Sequence, residues 1–199
     1  MDIYLECSEY IDWQETSIIT KAKQLADEAD SYNSLAKNSL AKKCFEFVRD
    51  EIKHAGDFQL NPVTCKASHV LHHGNGYCFA KSHLLAALLR ANNIPAGLRY
   101  QRLALNDQGT RFSLHGLNEV YLEEFGWYVV DARGNNSDIN TVFCPPKEGL
   151  AFNLKLNGEV NIAKRYSKPL DVVVHALNSS ASYTEFEDSL PDIDPNESF

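Results

Sequence analysis

Gly74-Asn75-Gly76-Tyr77-Cys78-Phe79-Ala80-Lys81-Ser82-His83-Leu84-Leu85-Ala86-Ala87-Leu88-Leu89-Arg90 is the segment from which the rest of the chain can be placed. Two glycines one residue apart make a tight, permissive turn. A cysteine follows, and Ala80, Leu84, Leu85, Leu88 and Leu89 then fall on the spacing of a buried helical stripe. Cys78 is therefore expected in the first turn of a helix whose body is locked into a core. Unpaired N–H groups and the positive end of the helix dipole favour an anion there, so a thiol loses its proton more readily. A thiolate on a rigid element is a nucleophile with a defined aim.

Upstream of this helix, Ala67–His72 reads as a short helical turn. Residues 57–66 read as a loop in which Pro62 keeps Asn61 out of helical geometry. Two further helices precede it. Thr16 to Ala29 sets Ile18, Ile19, Ala22, Leu25, Ala26 and Ala29 along one side, and the run 30–34 breaks it. A second runs from about Ser34 to His54, with Leu40, Cys44, Phe47, Val48 and Ile52 at helical intervals, until Gly56 stops it. Residues 1–15 read as an extended arm carrying Trp13.

Downstream, Asn92-Asn93-Ile94-Pro95 ends the helix and the pattern changes to period two. Residues 96–105, 112–122 and 126–132 read as strands, joined by a turn at Asn106-Asp107-Gln108-Gly109 and a reversal near 123–125. Asp131–Asn136 and Cys144-Pro145-Pro146 read as loops, and Glu159–Tyr166 and Asp171–Ala176 as weaker strands. From Asn178 to Phe199 the chain is acidic and punctuated by Pro191 and Pro195, the composition of a flexible surface tail. Helices first and a meander second make an α+β fold, with N-terminal helices packed on an antiparallel sheet. The expected organisation is a single domain over 1–177, with a helical layer at 1–55, a core at 56–177, and the tail at 178–199.

The totals narrow the function. A chain of 199 residues is long enough to bury a sizeable core without staples. A formal net charge of -8 argues against a nucleic-acid partner and against an acidic membrane surface. No signal peptide and no apolar run of membrane-spanning length is visible. Five irregularly spaced cysteines without a secretion signal read as reduced thiols, which points to the cytoplasm.

A cysteine nucleophile needs a base to take its proton and an acceptor to orient that base. His115 falls in the second strand and Asp131 ends the third. The reversal near 123–125 sets residue 115 opposite about residue 131, or one diagonal step away. Asp131 is then placed to accept from one ring nitrogen of His115 while the other faces the thiol. The competing account is structural: a hydrogen-bonded strand histidine, turn chemistry at Asp131-Ala132-Arg133-Gly134, and a cysteine acting as a small hydrophobe. Cys65, His69, His72 and His73 are a dense group of potential metal ligands. They lack paired Cys-x-x-Cys or His-Glu-x-x-His spacing, and His83 is expected to be packed, so no metal site is assigned.

Gly76-Tyr77-Cys78 with its helix ending Arg90-Ala91-Asn92-Asn93-Ile94-Pro95-Ala96 resembles the core of the transglutaminase-like superfamily. So does the order Cys, then His in a strand, then Asp closing the next, with Leu114-His115-Gly116-Leu117-Asn118 and Asp131-Ala132-Arg133-Gly134-Asn135 as motifs. The resemblance spans roughly residues 45–155. It implies a papain-like Cys-His-Asp site that acts on carboxamides through a thioester and uses no cofactor. Cys78 would be the nucleophile, His115 the general base and then acid, and Asp131 the orienter. The oxyanion would be held by the Cys78 N–H and one further donor. Larger transglutaminases use an upstream tryptophan and papain relatives a glutamine, which makes Gln59 the candidate here, with Asn61 behind it. Tyr77 is placed to wall the substrate cleft. With no tryptophan between 14 and 126, hydrolysis of a peptide or protein amide is favoured over cross-linking. The alternatives are protein-glutamine amine acyl transfer and a non-catalytic peptide-binding domain that keeps the cleft. Arylamine N-acetyltransferases share the residue order, but their Arg-Gly-Gly approach to the cysteine is replaced here by Gly74-Asn75-Gly76-Tyr77. Oligomeric state is not legible.

Overall fold

The computed structural model describes residues 1–29 and 36–193. After a 3-10 turn at Asp2–Tyr4 come two helices, α1 (Thr16–Glu28) and α2 (Ala36–Glu51). The break expected at 30–34, and the start of the second helix at Ser34, lie outside the described residues. α2 ends at Glu51 rather than His54. Lys53–His54 instead forms a short strand, β1, fixed by the bond from the Lys53 N–H to the Gly74 carbonyl (2.9 Å). A one-turn helix, α3 (Ala55–Phe58), occupies the start of the expected loop, and α4 (Ala67–His73) lies where a helical turn was read. β2 (Asn75–Gly76) pairs in parallel with β1, His54 opposite Gly76, and α5 (Cys78–Ala91) follows directly.

α5 is the hub. The stripe reading understates it, because every residue from Cys78 to Arg90 is buried. α1, α2 and α4 cover one side and the sheet covers the other. Polar side chains in such a helix are costly unless they find partners, and here they find carbonyls. Lys81 Nζ donates to the Ile52 and Arg49 carbonyls, and Ser82 Oγ to that of Cys78. His83 Nδ1 donates to the Cys65 carbonyl (2.8 Å), so it is packed, as expected. The Arg90 guanidinium gathers the carbonyls of Glu6, Ala96 and Ser167.

The sheet contains β3 (Ala96–Ala104), β4 (Phe112–Leu122) and β5 (Gly126–Val130). The proline-containing segment read as a loop is a small hairpin, β6 (Val142–Cys144) and β7 (Lys147–Gly149). β8 (Val160–Tyr166) returns to the main sheet, whose order is β5-β4-β3-β8, antiparallel throughout. Asn118 reaches from β4 to the Ser82 carbonyl on α5 (2.9 Å). Gly116 lets the start of α5 press onto the strand, since a Cβ there would lie 2.9 Å from the Phe79 Cα.

Two expectations for the C-terminal part are corrected. Residues 171–179 are a helix, α6 (Asp171–Ser179), not a strand. Val172-Val173-Val174 favours a strand locally, but Val173 and Leu177, one helical turn apart, are both buried, and packing outweighs propensity. Nor is the chain loose from 178 to 193. α7 (Tyr183–Asp188) is capped by Ser182, whose Oγ accepts the Glu185 N–H, and Phe186 is fully buried. Phe186, with Tyr183, Leu190 and Ile193 packed beside it on the core, docks this acidic stretch. The remainder of the expected tail, 194–199, lies outside the described residues. Among the described residues no helix is long and apolar enough to cross a membrane.

Candidate active site

Cys78 is the first residue of α5, after an extended Tyr77 that supplies no side-chain cap. The N–H groups of that first turn have no intrahelical acceptor. Cys78 is nearly closed off, at 8% exposure, and its sulfur receives the Gly116 N–H at 3.4 Å. The β4–β5 register, Asn118 opposite Val130 and onward, sets Asp131 one diagonal step from His115 when continued past the strand end. His115 Nε2 and Asp131 Oδ2 are 2.8 Å apart. Asp131 is pinned by two further donors, the N–H groups of Ala151 to Oδ2 (3.0 Å) and Arg133 to Oδ1 (3.1 Å). With Nε2 committed to the carboxylate, Nδ1 is the nitrogen left for the sulfur. Phe152 stands edge-on to the His115 ring, centroids 5.0 Å apart, and shields it.

The electrostatics follow from this packing. Burial pushes the Cys78 thiol up, but the charge and hydrogen bond of His115, with those of His54, outweigh it and bring it down to about 6. Burial pushes His115 down, and the Asp131 carboxylate and the thiolate more than reverse that, raising it to about 10. Asp131 stays below the usual carboxylate range because His115 and two backbone N–H groups offset its burial. The stable form near neutrality is therefore thiolate and imidazolium. Burial pushes the Cys44 and Cys65 thiols up to about 12, and neither the Asn92 bond to Cys44 nor the Lys66 charge near Cys65 offsets it.

His54 is the site residue that the sequence reading missed. Its Nδ1 is taken up by Asp57, 3.3 Å from both the backbone N–H and the carboxylate Oδ1 of that residue, which leaves Nε2 to face Cys78. The Asp57 carboxylate beside it is held by Arg133 through two bonds of 2.7 and 2.8 Å. His54 and Arg133 keep Asp57 far below the ordinary carboxylate range. No periodicity marks His54; it reaches the sulfur only through the parallel pairing of β1 with β2.

Gln59 and Asn61, the upstream candidates, do not line the cavity around Cys78. Gln59 is exposed in a left-handed conformation after α3, and the Asn61 Oδ1 accepts the Tyr183 N–H (2.8 Å). Tyr77 does line the cavity, with its hydroxyl turned to the Tyr183 carbonyl (3.2 Å). The cavity, about 930 Å³, brings together His54, Cys78, His115, Phe152 and Leu190 among others. Among the described residues no group of three or more His, Cys, Asp or Glu is arranged to hold a metal ion.

Comparison with known proteins agrees with this geometry at the level of family. The sequence model of the Transglutaminase-like superfamily matches residues 20–132, starting earlier than the motifs indicated and ending one residue past Asp131. No curated protein matches the chain significantly. Among solved structures, a candidate cysteine protease from Cytophaga hutchinsonii is 20% identical, with a TM-score of 0.47, over 66% of this chain and 42% of its own. The periplasmic domain of TgpA from Pseudomonas aeruginosa is 16% identical, with a TM-score of 0.46, over 65% of this chain and 45% of its own. The same domain bound to ethylmercury gives 18% and 0.46, over 65% and 46%. The chain thus spans less than half the length of these structures.

Proposed function

Since this chain belongs to the transglutaminase-like superfamily, we propose that it is a cysteine-dependent amide hydrolase acting on a peptide or protein. Cys78 Sγ attacks the amide carbonyl carbon, and the electron pair moves onto the oxygen. That oxyanion is received by the Cys78 N–H and the His54 Nε2–H, donors set before the charge develops. As the tetrahedral species collapses, His115 Nδ1–H gives its proton to the leaving amine and the C–N bond breaks, leaving a thioester. His115, now neutral, takes a proton from water, whose oxygen attacks the thioester, and the acid leaves as the thiolate is restored. Asp131 holds the ring in one orientation and stabilises its charged form throughout.

The observation that carries the reading is the 2.8 Å bond from His115 Nε2 to Asp131, made beside a thiol brought down to about 6. A structural cysteine in apolar surroundings has the opposite tendency, as Cys44 in α2 and Cys65 in the loop before α4 display. Five free cysteines support placing the enzyme in a reducing compartment, the cytoplasm.

Iodoacetamide labelling near pH 6 tests the assignment. Cys78 is expected to react far faster than Cys7, Cys44, Cys65 or Cys144; uniform slow labelling would make this a binding domain. Hydroxylamine added with a glutamine peptide separates the two chemistries. Hydroxamate signals acyl transfer to an amine, and free acid alone signals hydrolysis.

A further inference from the structure

One wall of the cavity around Cys78 is built by the chain's own C-terminal stretch, and Glu187 and Leu190 line it. Phe186 packs against Tyr77 and Phe79, ring centroids 4.2 and 6.3 Å away, one on each side of Cys78 in sequence. Past α7 the stretch reaches the beginning of β4. There the Pro191 carbonyl accepts the Leu114 N–H (2.8 Å) and the Ser113 hydroxyl (3.1 Å). Asp192 holds Arg102 by two bonds of 2.7 and 2.8 Å.

The place that Pro191 occupies is a free sheet edge. β4 pairs with β5 only from Asn118 to Leu122, so its residues nearer His115 have no strand beside them on that side among the described residues. The Leu114 N–H points away from β3, since it is given to Pro191, and it lies next to His115 in the chain. An outward N–H on such an edge is where an extended peptide adds to a sheet, giving backbone recognition without sequence preference. Pro191 makes the bond that a substrate carbonyl would make.

We propose that the β4 edge at Leu114 is the backbone subsite for an extended peptide substrate, and that Leu190–Ile193 is an internal occupant which must move aside. This rests on the reading of Cys78 as nucleophile. The two halves of the stretch are held unequally. Phe186 is fully buried and keeps α7 in place. Leu190–Ile193 has no fully buried aromatic of that kind: Leu190 and Ile193 are only partly buried, and the Asp192–Arg102 pair, with side chains 33% and 12% exposed, is worth about 1 kcal/mol. In this proposal it is Leu190–Ile193 that swings about Ser189, while α7 stays docked through Phe186.

The full chain is compared with Asp192→Asn and Asp192→Glu, using two reagents for Cys78: iodoacetamide, and a tripeptidyl chloromethyl ketone that must lie extended in the cleft. Asp192→Asn is expected to react about fivefold faster with the peptidyl reagent. Its iodoacetamide rate should be unchanged, and Asp192→Glu should behave as the parent. A synthetic peptide of residues 187–193 should slow the peptidyl reagent on Asp192→Asn competitively. An equal or slower peptidyl rate in Asp192→Asn would overturn the internal occupant, and failure of the peptide to compete would overturn the Leu114 subsite. Loss of iodoacetamide selectivity for Cys78 in the parent is a different failure, which removes the nucleophile and this inference with it.

Discussion

Asp131 Oδ2 lies 2.8 Å from His115 Nε2, and the carboxylate is wholly shut away from solvent. The bond commits one ring nitrogen and thereby selects the other for the sulfur. In Asp131→Asn the amide can present its NH2 to Nε2, which places the ring proton on the wrong nitrogen for a base. Turnover is expected to fall by about 10³–10⁴. The same oxygens also serve Ala151 and Arg133, so stability should drop by about 1–3 kcal/mol. Turnover measured beside a urea midpoint separates the two effects, and full turnover would remove the carboxylate from the mechanism.

The pH dependence of labelling has a definite sign. With its thiol brought down to about 6, Cys78 should gain reactivity as pH rises through 6 and level off above it. A free cysteine does so only near about 8.5. In His115→Ala the principal cation is gone and burial remains, so the midpoint should move above that of a free cysteine. Site-resolved mass spectrometry of alkylated protein gives both curves.

His54→Ala should lower kcat by about 10²–10³, the loss that follows from deleting one oxyanion donor. His54→Gln retains a donor and should recover part of it. An unchanged kcat in His54→Ala would leave the ring a packing role only.

Gly116→Ala tests the approach of α5 to the sheet. Its Cβ would lie 2.9 Å from the Phe79 Cα, backbone that cannot rotate away. The helix start must shift, at a cost of about 1–3 kcal/mol. Labelling of Cys78 should slow along with the fall in melting temperature; a melting temperature equal to the parent's would show that the approach is looser.

Lys81 carries a pH signature of its own. Burial pushes its amine down to about 7 in the fold, from about 10.4 for a free lysine. Between those values the unfolded chain binds the extra proton, so this group makes stability rise with pH, and its contribution is least favourable below 7. Lys81→Met should flatten that slope between pH 7 and 10, as read from urea midpoints at several pH values.

The sequence showed the parts of this architecture that depend on short-range pattern. α5, β3, β4 and β5 each have their own periodicity, and the Gly-x-Gly turn marks where α5 begins. His115 and Asp131 followed from the reversal between two adjacent strands. His54 did not, because β1 and β2 are two residues each and their parallel pairing spans a stretch with no period of its own. Gln59 was chosen by analogy of position, and a left-handed backbone leaves it exposed at the end of α3. α6 was misread because three consecutive valines mimic a strand when their neighbours are unknown. α7 was lost in the acidic composition around Phe186.

Phe186 has a consequence for the order in which the molecule is made. Its ring completes the surroundings of Tyr77 and Phe79, yet it emerges more than a hundred residues after them. A chain stalled on the ribosome short of that phenylalanine carries the sulfur, imidazole and carboxylate but lacks the aromatic plug that seats the start of α5. Full reactivity is thus deferred until α7 has emerged, and products truncated before it are left with a poorly aimed thiol.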